Sequence, residues 1–310
     1  MLDHEPKPLE GVVLLVVDEA QDLTPQQWRY VRKIAKNVPK IILAGDDDQA
    51  IYEWAGADPL GMLRFNGNVR VLPQSHRLTA AGHRLAEKIT GGMVTRQPKK
   101  WQGRIEAGRV ETIQDVGETD LHDSNWLMLA RHRYQLQAME KEARRQGVPY
   151  QTLDGKSSLD DDCVRAVVHY ERLRAGGTAT SSQVRQMMPF LGQDAPAEPR
   201  SEWTWITLGM PEERQPWLEG MPHISLEDRE YIRAVRRRNY SLKMEPRVRL
   251  QTIHGAKGWE ANNVVMCTDV ARTTQIDSDA ERRVAYVGAT RAKESLYLTR
   301  RTSPWGWDLI

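Results

Sequence analysis

The sequence predicts an α/β protein built on parallel sheets, and three observations carry that reading. A continuous apolar, β-branched run from Val12 to Val17 stops at the carboxylates of Asp18 and Glu19. A strand buried on both faces ends in this way at the edge of a parallel sheet. Short strand-like runs then alternate with helix-length amphipathic segments along the chain. Finally, 40% hydrophobic and 28% charged residues in 310 describe an ordinary folded protein with room for two domains.

After the first strand, Pro25 to Lys36 is an amphipathic helix, with Thr24 as its cap and Pro25 at the first helical position. Lys40 to Ala44 is the next strand and runs into Gly45-Asp46-Asp47-Asp48-Gln49. Two strands and one helix cannot close a core, so residues 1–68 read as half of a sheet-based domain. A second unit spans 69–174. It holds a strand Val69 to Leu72, a helix Thr79 to Ile89, a turn-rich stretch Gly91 to Gly117 and a strand Trp126 to Ala130. A helix Tyr134 to Gln146 halts at Gly147-Val148-Pro149, and another covers Asp160 to Arg174. Residues 175–245 read as a small insertion, rich in Gly, Ser, Thr, Pro and Trp as far as 222 and ending in a basic helix, Leu226 to Arg238. The last part, 246–310, supplies strands Val248 to Thr252, Asn263 to Met266 and Ser295 to Thr299 around a helix from Asp279 to Lys293.

Composition narrows the class further. The Val12–Val17 run is far too short to span a bilayer, and the polar, acidic start Met1-Leu2-Asp3-His4-Glu5-Pro6 is unlike a signal peptide. Cys163 and Cys267 lack metal-ligand spacing, which points to a reduced, cytoplasmic protein without a membrane partner. A net charge of +2 does not imply nucleic acid; ten tryptophans against two phenylalanines offer stacking surfaces, most of which core packing would absorb.

The chemistry concentrates at strand ends. Asp18 can hold Mg²⁺, which takes a few carboxylates together with phosphate oxygens. Glu19 can orient and deprotonate an attacking water. Asp-Glu after an apolar run more often only caps the following helix, but Asp18-Glu19-Ala20-Gln21-Asp22 followed by Gly45-Asp46-Asp47-Asp48-Gln49 reverses those odds.

With these strings in view, the chain resembles superfamily 1 DNA helicases of the UvrD, Rep and PcrA family. Asp18 to Asp22 matches motif II, and Gly45 to Asp58 matches motif III. Leu72-Pro73-Gln74-Ser75-His76-Arg77 matches motif IV loosely, with His76 where the family usually has tyrosine. Gln251 to Glu260 matches motif V and Glu281 to Ala292 matches motif VI. The resemblance implies a P-loop NTPase helicase architecture. Residues 1–68 would be the C-terminal half of the first RecA-like domain, and 69–174 with 246–310 the second, interrupted by the reduced 175–245 subdomain.

It implies ATP and Mg²⁺ as cofactors, with Asp18 and Glu19 on the metal and Glu19, Gln49, Arg77 and Arg291 as catalytic groups. Gln49 would touch the γ-phosphate and the attacking water. Arg77 and Arg291 would be the arginine pair reaching the γ-phosphate, and Glu260 would take the ribose hydroxyl. Tyr52, Trp54, Thr252 and His254 would meet single-stranded DNA, Trp54 by stacking on a base. Arg237 belongs to a basic helix, with Arg229, Arg233 and Arg236, that could follow a DNA backbone. The implied activity is ATP-dependent, 3′–5′ movement on single-stranded DNA and at single-strand/duplex junctions.

Two departures qualify the match. Ala55 follows Trp54 where many members carry a coupling arginine. The motif G-x-x-x-x-G-K-[ST] is missing from residues 1–310; the nearest string, Gly155-Lys156-Ser157, has Tyr150 at the position of the first glycine. The expectation is a polypeptide or upstream segment that carries the phosphate loop, in a split enzyme or a longer reading frame. The alternative is a non-catalytic nucleic-acid- or protein-binding remnant.

Overall fold

The computed structural model describes residues 7–198, 200–238, 240 and 244–310. In chain order it contains β1 (Leu14–Val17), α1 (Pro25–Ile34), β2 (Lys40–Leu43), α2 (Pro59–Leu63), α3 (Ala80–Gly91), β3 (Arg109–Ile113) and β4 (Trp126–Ala130). There follow α4 (Leu136–Gln146), β5 (Tyr150–Gln151), α5 (Asp162–Arg174), α6 (Ser181–Leu191), α7 (Trp217–Gly220) and α8 (Leu226–Arg237). The last elements are β6 (Val248–Thr252), β7 (Ala261–Met266), α9 (Asp279–Ala289) and β8 (Ala292–Thr299).

β1 and β2 form a parallel pair of their own, with Val17 opposite Leu43. The remaining strands follow the order β3-β8-β7-β4-β6-β5. The pairs β3–β8, β7–β8 and β5–β6 are parallel. This is the parallel α/β organisation expected of RecA-like sheets. The chain divides into two compact units, one comprising the residues up to Asp115, Leu129–Gln135 and Gln251–Ile310, the other Val116–Met128 and Leu136–Leu250.

In the first unit the helices start where their caps dictate. Thr24 Oγ1 accepts from the Gln27 amide at 3.3 Å, and Gln27 Oε1 accepts from the Thr24 amide at 2.8 Å, a reciprocal capping box that opens α1. Thr79 and Ser278 cap α3 and α9 through the amides of Gly82 and Glu281. In β7, Val264, Val265 and Met266 are wholly buried, as are Leu296 and Leu298 of β8 to within 2%. The β1–β2 pair is different: Leu14, Val16 and Ile42 share one face and are 42%, 55% and 41% exposed. The second unit is mainly helical, with Tyr170 and Leu173 of α5, Met187 of α6 and Tyr231, Ile232 and Val235 of α8 in its core. Its Gly155-Lys156-Ser157 string is a tight turn, in which Gly155 N–H donates to Thr152 O at 2.9 Å.

Several predicted elements change. Val69 to Leu72 is not a strand; it finds no ladder partner, and Val69 and Leu72 are 69% and 76% exposed. The turn-rich stretch Gly91 to Gly117 contains β3, an edge strand of alternating polar residues pairing with β8. The insertion contains a complete helix, α6, opened by a Thr180–Gln183 capping box and carrying Pro189 inside it. Among the described residues no helix is long and apolar enough to cross a membrane.

Candidate functional site

Parallel pairing brings the C-terminal ends of β1 and β2 side by side, so the two carboxylate-rich loops lie together. Ala44 N–H donates to Val17 O at 2.8 Å, and Ala20 N–H donates to Ala44 O at 3.0 Å. Gln21, wholly buried, ties the loops: its amide donates to Glu19 Oε2 and its oxygen accepts from Asp46 N–H at 3.1 Å. A Cβ on Gly45 would stand 2.4 Å from that Gln21 oxygen, so a larger residue there would displace the Gln21 tie. Asp18 and Glu19 are both exposed. Glu19 adopts φ +49°, ψ +40°, a left-handed conformation that costs a non-glycine residue about 1 kcal/mol or more. Asp18 Oδ1 accepts from Glu19 N–H at 2.9 Å.

Residues more than 200 positions downstream converge on these loops. Lys257 donates to Asp22 Oδ2 and, at 3.0 Å, to Gln49 O, while its ammonium lies 3.8 Å from Glu19 Oε2 and over the Tyr52 ring at 5.2 Å. Burial holds the Asp22 carboxyl above its ordinary range despite that ammonium. Gln49 Nε2 donates to Asp46 Oδ2 at 2.8 Å, and Gln49 Oε1 accepts from Arg291 Nη2 at 3.2 Å. Arg291 is 1% exposed and also donates to Val287 O, Trp259 O and Thr290 Oγ1. Burial, with the charge of Arg77 second, pushes its guanidinium down to about 10. Arg77 Nε in turn donates to Glu260 Oε2 at 2.7 Å, and Lys293 reaches Glu260 Oε1 at 3.1 Å. These bonds, Arg77 first, hold the Glu260 carboxyl below the usual range.

A second cluster is aromatic. Trp54 is 75% exposed, and its ring meets His254 edge-on at 6.2 Å. Tyr52 lies 6.3 Å from the same imidazole and donates its hydroxyl to His254 O at 3.1 Å. Burial, reinforced by Arg131, lowers His254 to about 4, so its ring is neutral near pH 7. Thr252 closes the strand end by accepting from Gly255 N–H at 3.1 Å.

Two family models match the chain: the UvrD/REP helicase N-terminal domain over residues 10–70 and the UvrD-like helicase C-terminal domain over residues 229–303. Over those stretches the chain is similar to the UvrD-like superfamily 1 helicases. The ATP-dependent DNA helicase PcrA of Bacillus subtilis is 27% identical over 51% of this chain and 24% of its own length. The ATP-dependent DNA helicase UvrD2 of Mycobacterium tuberculosis is 26% identical over 92% of this chain and 47% of its own. The chain thus spans less than half the length of these relatives. A solved Arterivirus nonstructural protein 10 helicase with DNA aligns over 96% of this chain and 41% of its own at 13% identity and TM-score 0.41, too slight a likeness to bear on the fold.

In this UvrD-like chain Asp18, Glu19, Gln49, Arg77, Glu260 and Arg291 fall in the first compact unit, as do Tyr52, Trp54, Thr252 and His254. The structure joins Gln49 to Arg291, Arg77 to Glu260, and Tyr52 and Trp54 to His254. Arg237 lies in the second unit, exposed at the end of α8 with Arg233 and Arg236. Arg229 does not share that role, since its guanidinium is committed to the carbonyls of Ile224, Leu218 and Met221.

No group of three or more His, Cys, Asp or Glu that could cage a metal exists among the described residues. Asp18 and Glu19 do fit Mg²⁺ held jointly with nucleotide oxygens, because both carboxylates are exposed at the strand end. Sequence reasoning assigned no role to Gln21, Lys99, Lys257 or Arg283. Arg283, 3% exposed, reaches Glu53 Oε1 at 2.5 Å and Thr95 O at 2.6 Å, so it supplies a guanidinium beside the Trp54 turn, where the sequence has Ala55. The invariant need of a buried acidic run for counter-charge was the one signal pointing toward such cations.

Proposed function

We propose that this chain is the water-activating, γ-phosphate-sensing and DNA-gripping part of an ATP-dependent DNA helicase of the UvrD type. The observation that carries the reading is the Gln49–Arg291 hydrogen bond beside Lys257–Asp22. It unites motifs II, III, V and VI in one cluster at the ends of β1 and β2.

Glu19 is the base that orients and deprotonates water; its carboxylate is exposed at the strand end, with one oxygen accepting from Gln21. Asp18, assisted by Glu19, would hold Mg²⁺, which supplies charge neutralisation of the phosphate oxygens when bound. Gln49, its nitrogen on Asp46, offers its side-chain oxygen to Arg291 and to the attacking water, whose O–H donates. The buried Arg291, held in place by Gln49, offers its guanidinium to the γ-phosphate, and Arg77 serves the same charge from the surface. Glu260, already accepting from Arg77 and Lys293, accepts a ribose hydroxyl in the same way. Exposed Trp54 stacks on a base, with Tyr52, His254 and Thr252 linking that contact to motif V. Arg237 contributes phosphate contact from α8. Polarity is 3′–5′, and the setting is the reduced cytoplasm.

The glycine-rich phosphate loop comes from polypeptide beyond these residues, as a preceding segment or a separate chain. The exposed face of Leu14, Val16 and Ile42 supports this, being apolar sheet surface with nothing over it among the described residues. The test is single-stranded-DNA-stimulated ATP hydrolysis by the chain alone and with a polypeptide carrying that loop. Activity in the mixture, lost in Glu19→Gln and Arg291→Ala, is the expected result. Silence in both arms would leave a binding remnant instead.

A further inference from the structure

Lys99 lies outside every motif named above, yet its ammonium meets three carboxylates. Its ammonium is 2.8 Å from Asp46 Oδ1, 2.5 Å from Asp47 Oδ1 and 2.8 Å from Asp48 Oδ2. Asp47 and Asp48 are wholly buried, and the Lys99 side chain is 13% exposed. Three adjacent carboxylates cannot be taken out of water without compensation, because each uncompensated ion costs several kcal/mol, roughly. Arg96 answers Asp48 with two bonds of 2.9 and 2.7 Å, and Gln97 N–H donates to Asp47 Oδ2 at 2.7 Å. Among the described residues, the ion pairs to Asp46 and Asp47 come from Lys99 alone. Burial would depress the ammonium, but the carboxylates of Asp46, Asp48 and Asp47 more than reverse this and raise it.

Asp46 is where this cluster meets the chemistry. One of its oxygens takes Lys99 and the Asp48 N–H at 3.2 Å; the other accepts the Gln49 side-chain amide at 2.8 Å and the Tyr286 hydroxyl at 3.5 Å. Lys99 thus supplies the only opposite charge at Asp46 among the described residues. That bond decides which way the amide faces, since a carboxylate accepts and does not donate. With its nitrogen spent on Asp46, Gln49 presents its oxygen to Arg291. A continuous chain of contacts therefore runs Lys99–Asp46–Gln49–Arg291.

We propose that Lys99 is a positioning residue: by pairing with Asp46 it fixes the side chain that orients Gln49 and, through it, Arg291 toward the reacting phosphate. The inference rests on the reading of Gln49 and Arg291 as γ-phosphate groups. A Lys99 that merely anchored its own loop would leave the Gln49 amide unaffected.

The experiment has two arms, run on the full chain. In the first, the Gln49 side-chain amide resonances, identified by their loss in Gln49→Ala, are followed in Lys99→Met and Lys99→Arg. Lys99→Met moves them and Lys99→Arg keeps them near their wild-type positions. In the second, steady-state ATP hydrolysis is measured with the phosphate-loop polypeptide and single-stranded DNA. Lys99→Met lowers kcat roughly tenfold to a hundredfold, as misplacement of a catalytic group does, while KM for ATP stays within about twofold; Lys99→Arg restores most of the rate. If Lys99→Met does not fold, Lys99→Met/Asp47→Asn removes one buried carboxylate and still leaves Asp46 unpaired. Unmoved Gln49 resonances, or a rate that falls only as the folded fraction falls, would overturn the proposal. A wild-type chain without hydrolysis in the mixture sinks the catalytic reading instead, and the resonance arm then decides the role of Lys99 by itself.

Discussion

β7 and β1 begin from the same kind of sequence and end in opposite surroundings. Both are short and end in an apolar run, Leu14 to Val17 in β1 and Val264 to Met266 in β7, and both run parallel to a neighbour. Val264, Val265 and Met266 in β7 are shut away from water, whereas Val16 in β1 and Ile42 in β2 stay about half exposed. The difference teaches that an apolar run records where a strand is meant to be buried, while its cover is a separate matter. β1 carries the carboxylates of Asp18 and Glu19 at its end, so the strand pair that holds the proposed reacting groups is also the one lacking cover among the described residues.

Substitutions can sharpen or break this contrast. The largest effect belongs to the reacting groups: Glu19→Gln and Arg291→Ala each reduce DNA-stimulated ATP hydrolysis by about 10²-fold or more in the mixture with the phosphate-loop polypeptide. Phosphate release checks this, and an unchanged rate would show the chemistry lies elsewhere. Next, Met266→Ala in β7 costs about 2–5 kcal/mol, read from denaturant unfolding.

Val16→Asp in β1 should stay within about 0.5 kcal/mol in the chain alone, as exposed substitutions do, yet abolish hydrolysis in the mixture. Equal costs at Met266 and Val16 would erase the distinction between covered and uncovered strands. A smaller effect follows at Trp54, where Trp54→Ala weakens single-stranded DNA binding by about 1–3 kcal/mol without lowering the melting temperature.

A further effect is a pH slope. His254 titrates near 4 when folded and near its ordinary 6.5 when unfolded. Between those values the unfolded chain holds up to about one proton more, so its contribution is complete above 6.5 and declines as pH falls toward 4. Denaturation midpoints measured across that window should flatten in His254→Gln.

Much of the local structure was legible because its causes are local. Thr24-Pro25 opens α1, Thr79 opens α3, and Leu226 to Arg237 forms α8, each from a cap and an apolar stripe within one segment. The capping box Thr180–Gln183 was equally present and would have revealed α6. Strands were less secure. Val69 to Leu72 has the composition of a strand but no partner, while Arg109 to Ile113, with three β-branched residues inside a stretch read as turns, pairs with β8. For the candidate site, the motifs named Gln49, Arg77, Glu260 and Arg291, but not that Arg77 would already hold Glu260 or that Gln49 would bind Arg291.

The sequence by itself determined the α/β alternation, the helix caps and which side chains carry carboxylate, amide, guanidinium and indole chemistry. All of these follow from bonding within a few residues. Only the tertiary structure decided which charges meet: Lys99 with the Asp46–Asp48 run, Lys257 with Asp22, and Arg283 with Glu53. Lys99 and Asp46 stand 53 positions apart, and Lys257 and Asp22 stand 235 apart. A run of buried carboxylates states that it needs a cation; parallel strand pairing and loop closure select which one arrives.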